Sequence, residues 1–168
     1  PVSGLVLIAK NKSAAAKYST LMQKEGGFNK QYEALICGKP SEPKGTFVDY
    51  LKKDGRTNTS AIVPADAAAN DKEAKLSKLE YEVISYDEVK DITHVRIHLI
   101  TGRHHQIRVQ FASRRHPLVG DYKYATADCG MDNAVKAVAL KRNQIALCAV
   151  SLTIENETFR VTPEFSIG

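Results

Sequence analysis

The 168-residue sequence is short of several things, and each shortage narrows the possibilities. It has three cysteines (Cys37, Cys129 and Cys148), an odd number without C-x-x-C spacing. That argues against a disulfide framework and for reduced thiols in a cytoplasmic protein. Six prolines and ten glycines are too few for a low-complexity or fibrous chain. No apolar run approaches the ~18 residues of a membrane span, so a membrane role is not expected. Neither a P-loop nor G-x-G-x-x-G occurs, which removes the usual signatures of nucleoside triphosphate and dinucleotide sites.

Acidic residues are scarce in one place. Between His94 and Tyr124, six basic residues (Arg96, Arg103, Arg108, Arg114, Arg115, Lys123) are set against Asp121 alone, a net of +5. The other 18 basic and 18 acidic residues cancel. Charge focused in this way suits a polyanion, through phosphate contacts and counterion release. A solvated basic face is the other reading of the same charge.

Periodicity supplies the elements. "SGLVLIAK" (3–10) reads as a buried strand, followed by an alanine-rich helix with Ser13 as N-cap and Gly26-Gly27 as its stop. "KQYEALICG" alternates as a second strand, and 45–51 and 58–63 read as short strands around "KKDGRT". The stretch 65–75 is small and polar, a loop or short helix. "SKLEYEVISYDEV" and "DITHVRIHLI" are the clearest strands, and "IALCAVSLTIE" and "TFRVTP" close the chain. "HHQIRVQFASRR" has helical spacing, with Ile107 and Phe111 four apart, and a further helix is expected around 134–141. Strand pairs on short turns, with helices at irregular intervals, predict one α+β domain over 1–168 with a mixed, largely antiparallel sheet.

The chemistry concentrates at the strand–Gly102–helix junction. Arg103 and His104 would stand at a helix entrance that favours anions, and His104 and Arg108 share a helix face. Ile107 and Phe111 draw Arg108 toward the core, where a guanidinium requires a carboxylate or phosphate. An internal ion pair on a basic surface helix and a bound phosphate both meet that requirement. His94 and His98 stand ~13 Å apart on a strand, too far to share one metal ion, and no metal site is expected. Tyr32 reads either as a half-buried structural tyrosine or as a stacking platform for an unstacked base.

Taken together, "PVSGLVLIAKN", "KQYEALICGKP" and above all "LITGRHHQIRVQFASRRHPLVGDYKY" resemble the pseudouridine synthases of the large-subunit ribosomal RNA (RluA) type. The most specific block pairs T-G-R-x-H-Q-I-R with H-P-L-x-G-D. The resemblance implies that family's fold. It also implies an activity in which a uracil is flipped from ribosomal or transfer RNA, detached from its ribose and rejoined through carbon. No metal or other cofactor is implied, and a monomer is expected. It makes Tyr32 the residue packing on the flipped base and Arg108 the partner of a catalytic aspartate. Arg103, His104, His105, Gln106, Arg114, Arg115 and Lys123 become the residues that grip RNA.

Two departures stand out: Cys148 occupies a position where many relatives carry histidine, and 125–144 matches nothing in the family. The family's aspartate belongs to an Arg-Leu-Asp-Arg segment directly before "PVSG", ahead of Pro1, and none of Asp49, Asp66, Asp87 or Asp121 occurs in that motif. The 168 residues are therefore expected to be inactive alone, with Arg108 recruiting another carboxylate, an anion or water. A non-catalytic RNA-binding module that keeps the fold and the basic cleft is the alternative.

Overall fold

The computed structural model describes residues 2–23 and 27–167. Twelve elements run in the order β1 (Ser3–Gly4), α1 (Lys12–Gln23), β2 (Phe28–Cys37), β3 (Lys44–Asp54), β4 (Thr59–Val63), α2 (Ala65–Ala68), β5 (Lys75–Asp87), β6 (Ile92–Leu99), α3 (Gln106–Ala112), α4 (Met131–Ala137), β7 (Leu147–Ile154) and β8 (Glu157–Arg160). The eight strands form one sheet ordered β1-β7-β2-β6-β5-β3-β4, with β8 also on β7. Every pairing but β1–β7 is antiparallel, so the fold is α+β with a mixed, largely antiparallel sheet, as expected.

The middle of β2 explains the layering. "ALIC" (34–37) is buried on both faces. Ala34 and Ile36 join Ile97, Leu147 and the α3 residues Ile107 and Phe111 on one face. Leu35 and Cys37 join Cys148, Val150, Met131 and Phe165 on the other. Period-two alternation thus feeds two cores at once, with α3 covering one face and α4 the other. The 125–144 segment supplies that second cover: Ala125, Cys129, Val135, Val138 and Leu140 all pack on this cluster. Burial pushes the Cys37 thiol up to about 12.

Between the layers, Pro117–Val119 lies against the end of β2. Cys37 N–H donates to the Pro117 carbonyl, and Val119 N–H to that of Leu35. Gly120 then turns at φ +86°, where a Cβ would stand 2.2 Å from the Gln144 carbonyl oxygen. Only glycine fits, and the turn delivers Asp121 beneath α3.

Three sequence expectations need correction. The strand over 3–10 is confined to Ser3–Gly4, because Gly4 adopts φ +106° in close contact with Ala149 and the chain leaves the sheet. Val6 and Ile8 are each 79% exposed, so the apolar run there is not buried. The first helix is capped by Asn11, whose Oδ1 accepts from Ala14 N–H at 2.8 Å, and Ser13 lies inside it. Gly26, half of its expected stop, lies outside the described residues. The helix expected over 134–141 occupies Met131–Ala137, starting after Gly130 at φ +63°.

Candidate functional site

The site is built on α3. Ile107 and Phe111 turn its inner side to the core, and Arg108 emerges beside them. Its Nε and one Nη each donate to an Asp121 carboxylate oxygen at 2.7 Å, a fork-to-fork pair whose side chains are 12% and 1% exposed. Arg108 is therefore satisfied from within the chain, by an internal ion pair. The guanidinium also lies over the Tyr124 ring, 5.0 Å from the centroid.

A hydrogen-bonded cluster surrounds this pair. The Tyr124 hydroxyl accepts from Ser60 N–H at 2.8 Å and lies 2.8 Å from His105 Nδ1. Ser60 Oγ contacts both the His104 carbonyl at 2.8 Å and His104 Nδ1 at 2.9 Å. The two imidazoles stack with centroids 3.8 Å apart. His105 sits at φ +52°, the left-handed turn from which α3 starts. Desolvation first, then the Arg108 charge, lowers His105 to about 4. His104 is lowered by the same burial and by Lys53, Arg108 and Lys123.

Tyr32 is half-buried on the α3 face of β2, packed against the cluster that contains Ile107. Burial raises its hydroxyl above the ordinary tyrosine range. The β2–β7 register shifts between Gln31 and Tyr32, with Val150 the extra residue on β7, while the β2–β6 pairing runs unbroken past Tyr32. Two residues before it, Lys30 is pushed down by burial. Among the described residues, its Nζ alone lies within 4 Å of where a Gly102 Cβ would stand. Nothing crowds Gly102 and its φ lies outside the left-handed region, so the fold does not itself demand glycine there.

The basic residues do not form one set. Arg103 Nε donates to the Leu76 carbonyl, and Lys123 Nζ to those of Thr57 and Asn58. These two and Arg115 make no ion pair among the described residues. Gln106 is buried: its Oε1 accepts from Thr101 and from Arg103 N–H, and its Nε2 donates to the Lys78 carbonyl. It braces the loop and presents no amide to a ligand. Arg114 is held by Asp49 through two bonds of 3.0 and 3.1 Å and covers the Phe47 ring at 4.0 Å. Gln110 Nε2 adds a third bond to Asp49 at 2.6 Å. Arg96 pairs with Glu33, as does His94, and His98 faces Glu80. Among the described residues no cluster of His, Cys, Asp or Glu has the makings of a metal site.

Arg114 is thus braced by Asp49, with a consequence for its removal. Arg114→Ala leaves the largely buried Asp49 with one donor of three, and is expected to cost about 1–3 kcal/mol. Arg115→Ala, on an exposed side chain, is expected to stay within about 0.5 kcal/mol of the parent. Urea unfolding checks this, and equal losses would show that Asp49 does not anchor Arg114.

Sequence reasoning missed Tyr124, Ser60 and the partnership of Asp121. The signal for the last was present: Asp121 is the lone acid inside the basic segment. Ser60 gave none, because its role depends on a strand pairing that brings it to α3 from 44 residues away.

Residues 1–113 match the sequence profile of a family described as RNA pseudouridylate synthase. Ribosomal large subunit pseudouridine synthase D of Blochmanniella floridana is 36% identical over 124 residues, 73% of this chain and 35% of the relative. The protein of that name from Vibrio vulnificus is 31% identical over 157 residues, 92% of this chain and 45% of its own. Mouse RNA pseudouridylate synthase domain-containing protein 1 is 33% identical over 131 residues, covering 75% and 42%. The chain therefore spans less than half the length of these relatives. The solved structure of human RNA pseudouridylate synthase domain containing 1 superposes with TM-score 0.70 at 26% identity, over 93% of this chain and 62% of that one. Asp121 and Tyr124 lie beyond the stretch that the family profile matches.

Proposed function

The chain belongs to the RNA pseudouridylate synthase family, and from that premise we propose that it is the major part of a catalytic domain that isomerises uridine to pseudouridine in structured RNA, ribosomal or transfer. The observation that carries the reading is Arg108: a guanidinium pinned at the edge of the core with two of its five N–H groups given to Asp121. The other three have no protein acceptor among the described residues, and they can hold a second carboxylate or a phosphate. In this reading a uracil leaves the RNA stack and rests against the Tyr32 ring. The bond from ribose C1′ to N1 breaks, the base turns, and C1′ bonds to C5. C5 then loses its proton and N1 gains one, so the product is an isomer and no cofactor is consumed. The family's aspartate supplies the carboxylate at the ribose, and Arg108 holds it.

The RNA grip is assigned to Arg103, Arg115, Lys123, His104 and His105, with Lys30 added because the open space at Gly102 lies beside it. Glycine there lets a phosphate backbone approach closely. Gln106 and Arg114 support this surface from behind. The three free cysteines fit a reducing, cytoplasmic setting.

RNA binding by the chain is the direct test. Affinity for a structured RNA is expected to fall as a power of salt concentration, with a slope of roughly 0.7–0.9 per phosphate contact. Arg103→Ala and Arg115→Ala are each expected to lower that slope by about 1. A flat salt dependence, or unchanged slopes in both variants, would count against the assignment.

A further inference from the structure

Hydrogen-bond chemistry orders part of the α3 cluster. A backbone N–H only donates, so the Tyr124 oxygen accepts from Ser60, and the hydroxyl shares a second bond with His105 Nδ1. A carbonyl only accepts, so the Ser60 hydroxyl proton goes to the His104 carbonyl and His104 Nδ1–H donates to Ser60 Oγ. The two imidazoles stack on each other, and burial lowers both.

The ring that this network fixes lies against Arg108. Asp121 grips the guanidinium along one edge at two points. That leaves the tilt of the free edge to be set by what lies on its face, which is the Tyr124 ring. The hydroxyl of that ring is tied to β4, whose hairpin with β3 is further latched through Lys123 to the Thr57 and Asn58 carbonyls. We propose that Tyr124 is a positioning residue for Arg108: held by the Ser60 backbone and by His105, its ring aims the three unspent N–H groups of the guanidinium. The inference rests on the reading of Arg108 given above. It makes the β3–β4 hairpin part of the site without contact to the reacting atoms.

The test follows the Arg108 Nε–H by nitrogen-15 NMR in the 168-residue chain. Tyr124→Phe keeps the ring and removes the tie. It is expected to speed solvent exchange of that proton about tenfold, the scale of one lost hydrogen bond. Ser60→Ala keeps the backbone N–H, and is expected to leave Arg108 exchange unchanged while His104 shifts its proton between nitrogens. His105→Asn tolerates the left-handed backbone and keeps a hydrogen-bonding group where Nδ1 was, so it should preserve slow exchange. His105→Ala removes that partner and should accelerate exchange several-fold. The His105 pair decides the matter should Tyr124→Phe fail to fold. Wild-type exchange in Tyr124→Phe or His105→Ala, or loss of protection in Ser60→Ala, would overturn the proposal. In a form carrying the family's aspartate, Tyr124→Phe is expected to lower kcat about tenfold with KM unchanged. The exchange measurements decide the proposal without turnover, so absence of turnover in every form would count against the functional reading alone.

Discussion

Arg108→Ala is expected to remove about 3–5 kcal/mol of folding stability, the cost of leaving a buried charge without its partner. Asp121 is 1% exposed, and both of its oxygens are taken by Arg108 at 2.7 Å. No other donor reaches that carboxylate among the described residues, so removing the guanidinium forces it either to take up a proton or to drag water into the core. Arg108→Lys is expected to fall between parent and alanine variant, because an ammonium is a point charge and cannot serve both oxygens in one plane. The pair itself need not be stabilising, since desolvating two charges offsets much of their attraction. Hence Arg108→Met with Asp121→Leu should recover most of the lost stability. Urea unfolding of the two single variants and the double gives the comparison. A loss below about 1 kcal/mol in Arg108→Ala would place the pair among surface ion pairs and contradict its burial.

The same pair shows where sequence reading reaches and where it stops. Spacing of Ile107 and Phe111 placed a helix at α3 and drew Arg108 toward the core, because helical period and burial are local properties. The requirement for an anionic partner followed from charge alone. Its identity did not, since Gly120 first has to turn the chain under α3. Arg114 is the counterexample. In sequence it is one more base in a basic run, and its binding to Asp49 depends on β3 lying across from α3, 65 residues away. Burial on the two faces of β2 was likewise legible only in part. Alternation marks a strand, but it does not announce that 125–144 will cover the second face. At the other end, "SGLVLIAK" has the composition of a buried strand, yet Gly4 turns it off the sheet after two residues. Strand propensity states what a segment tolerates, and neighbours decide whether it is used. The register shift opposite Tyr32 is the finest detail of the pairing, and shifts of one residue leave no trace in a single sequence.

The 168-residue polypeptide by itself is expected to release no tritium from uracil C5 in RNA. Isomerisation needs a carboxylate at the ribose, and the family resemblance puts it in an Arg-Leu-Asp-Arg segment that these residues do not contain. Asp121 is no replacement: it is buried, with both oxygens committed to Arg108. Asp49 is committed in the same way to Arg114 and Gln110. A form that carries Arg-Leu-Asp-Arg directly before Pro1 is expected to turn over, with the new carboxylate taken by the free edge of Arg108. The same form with Asn in place of that Asp is expected to bind RNA equally well and to give no product. Asn keeps the size of the side chain and one acceptor oxygen, and loses the charge that the chemistry uses. Binding in all three forms without turnover in any would favour the non-catalytic RNA-binding module. Robust tritium release by the 168 residues alone would mean that another carboxylate of this chain reaches the ribose, and the assignment of Arg108 as holder of an upstream aspartate would fall.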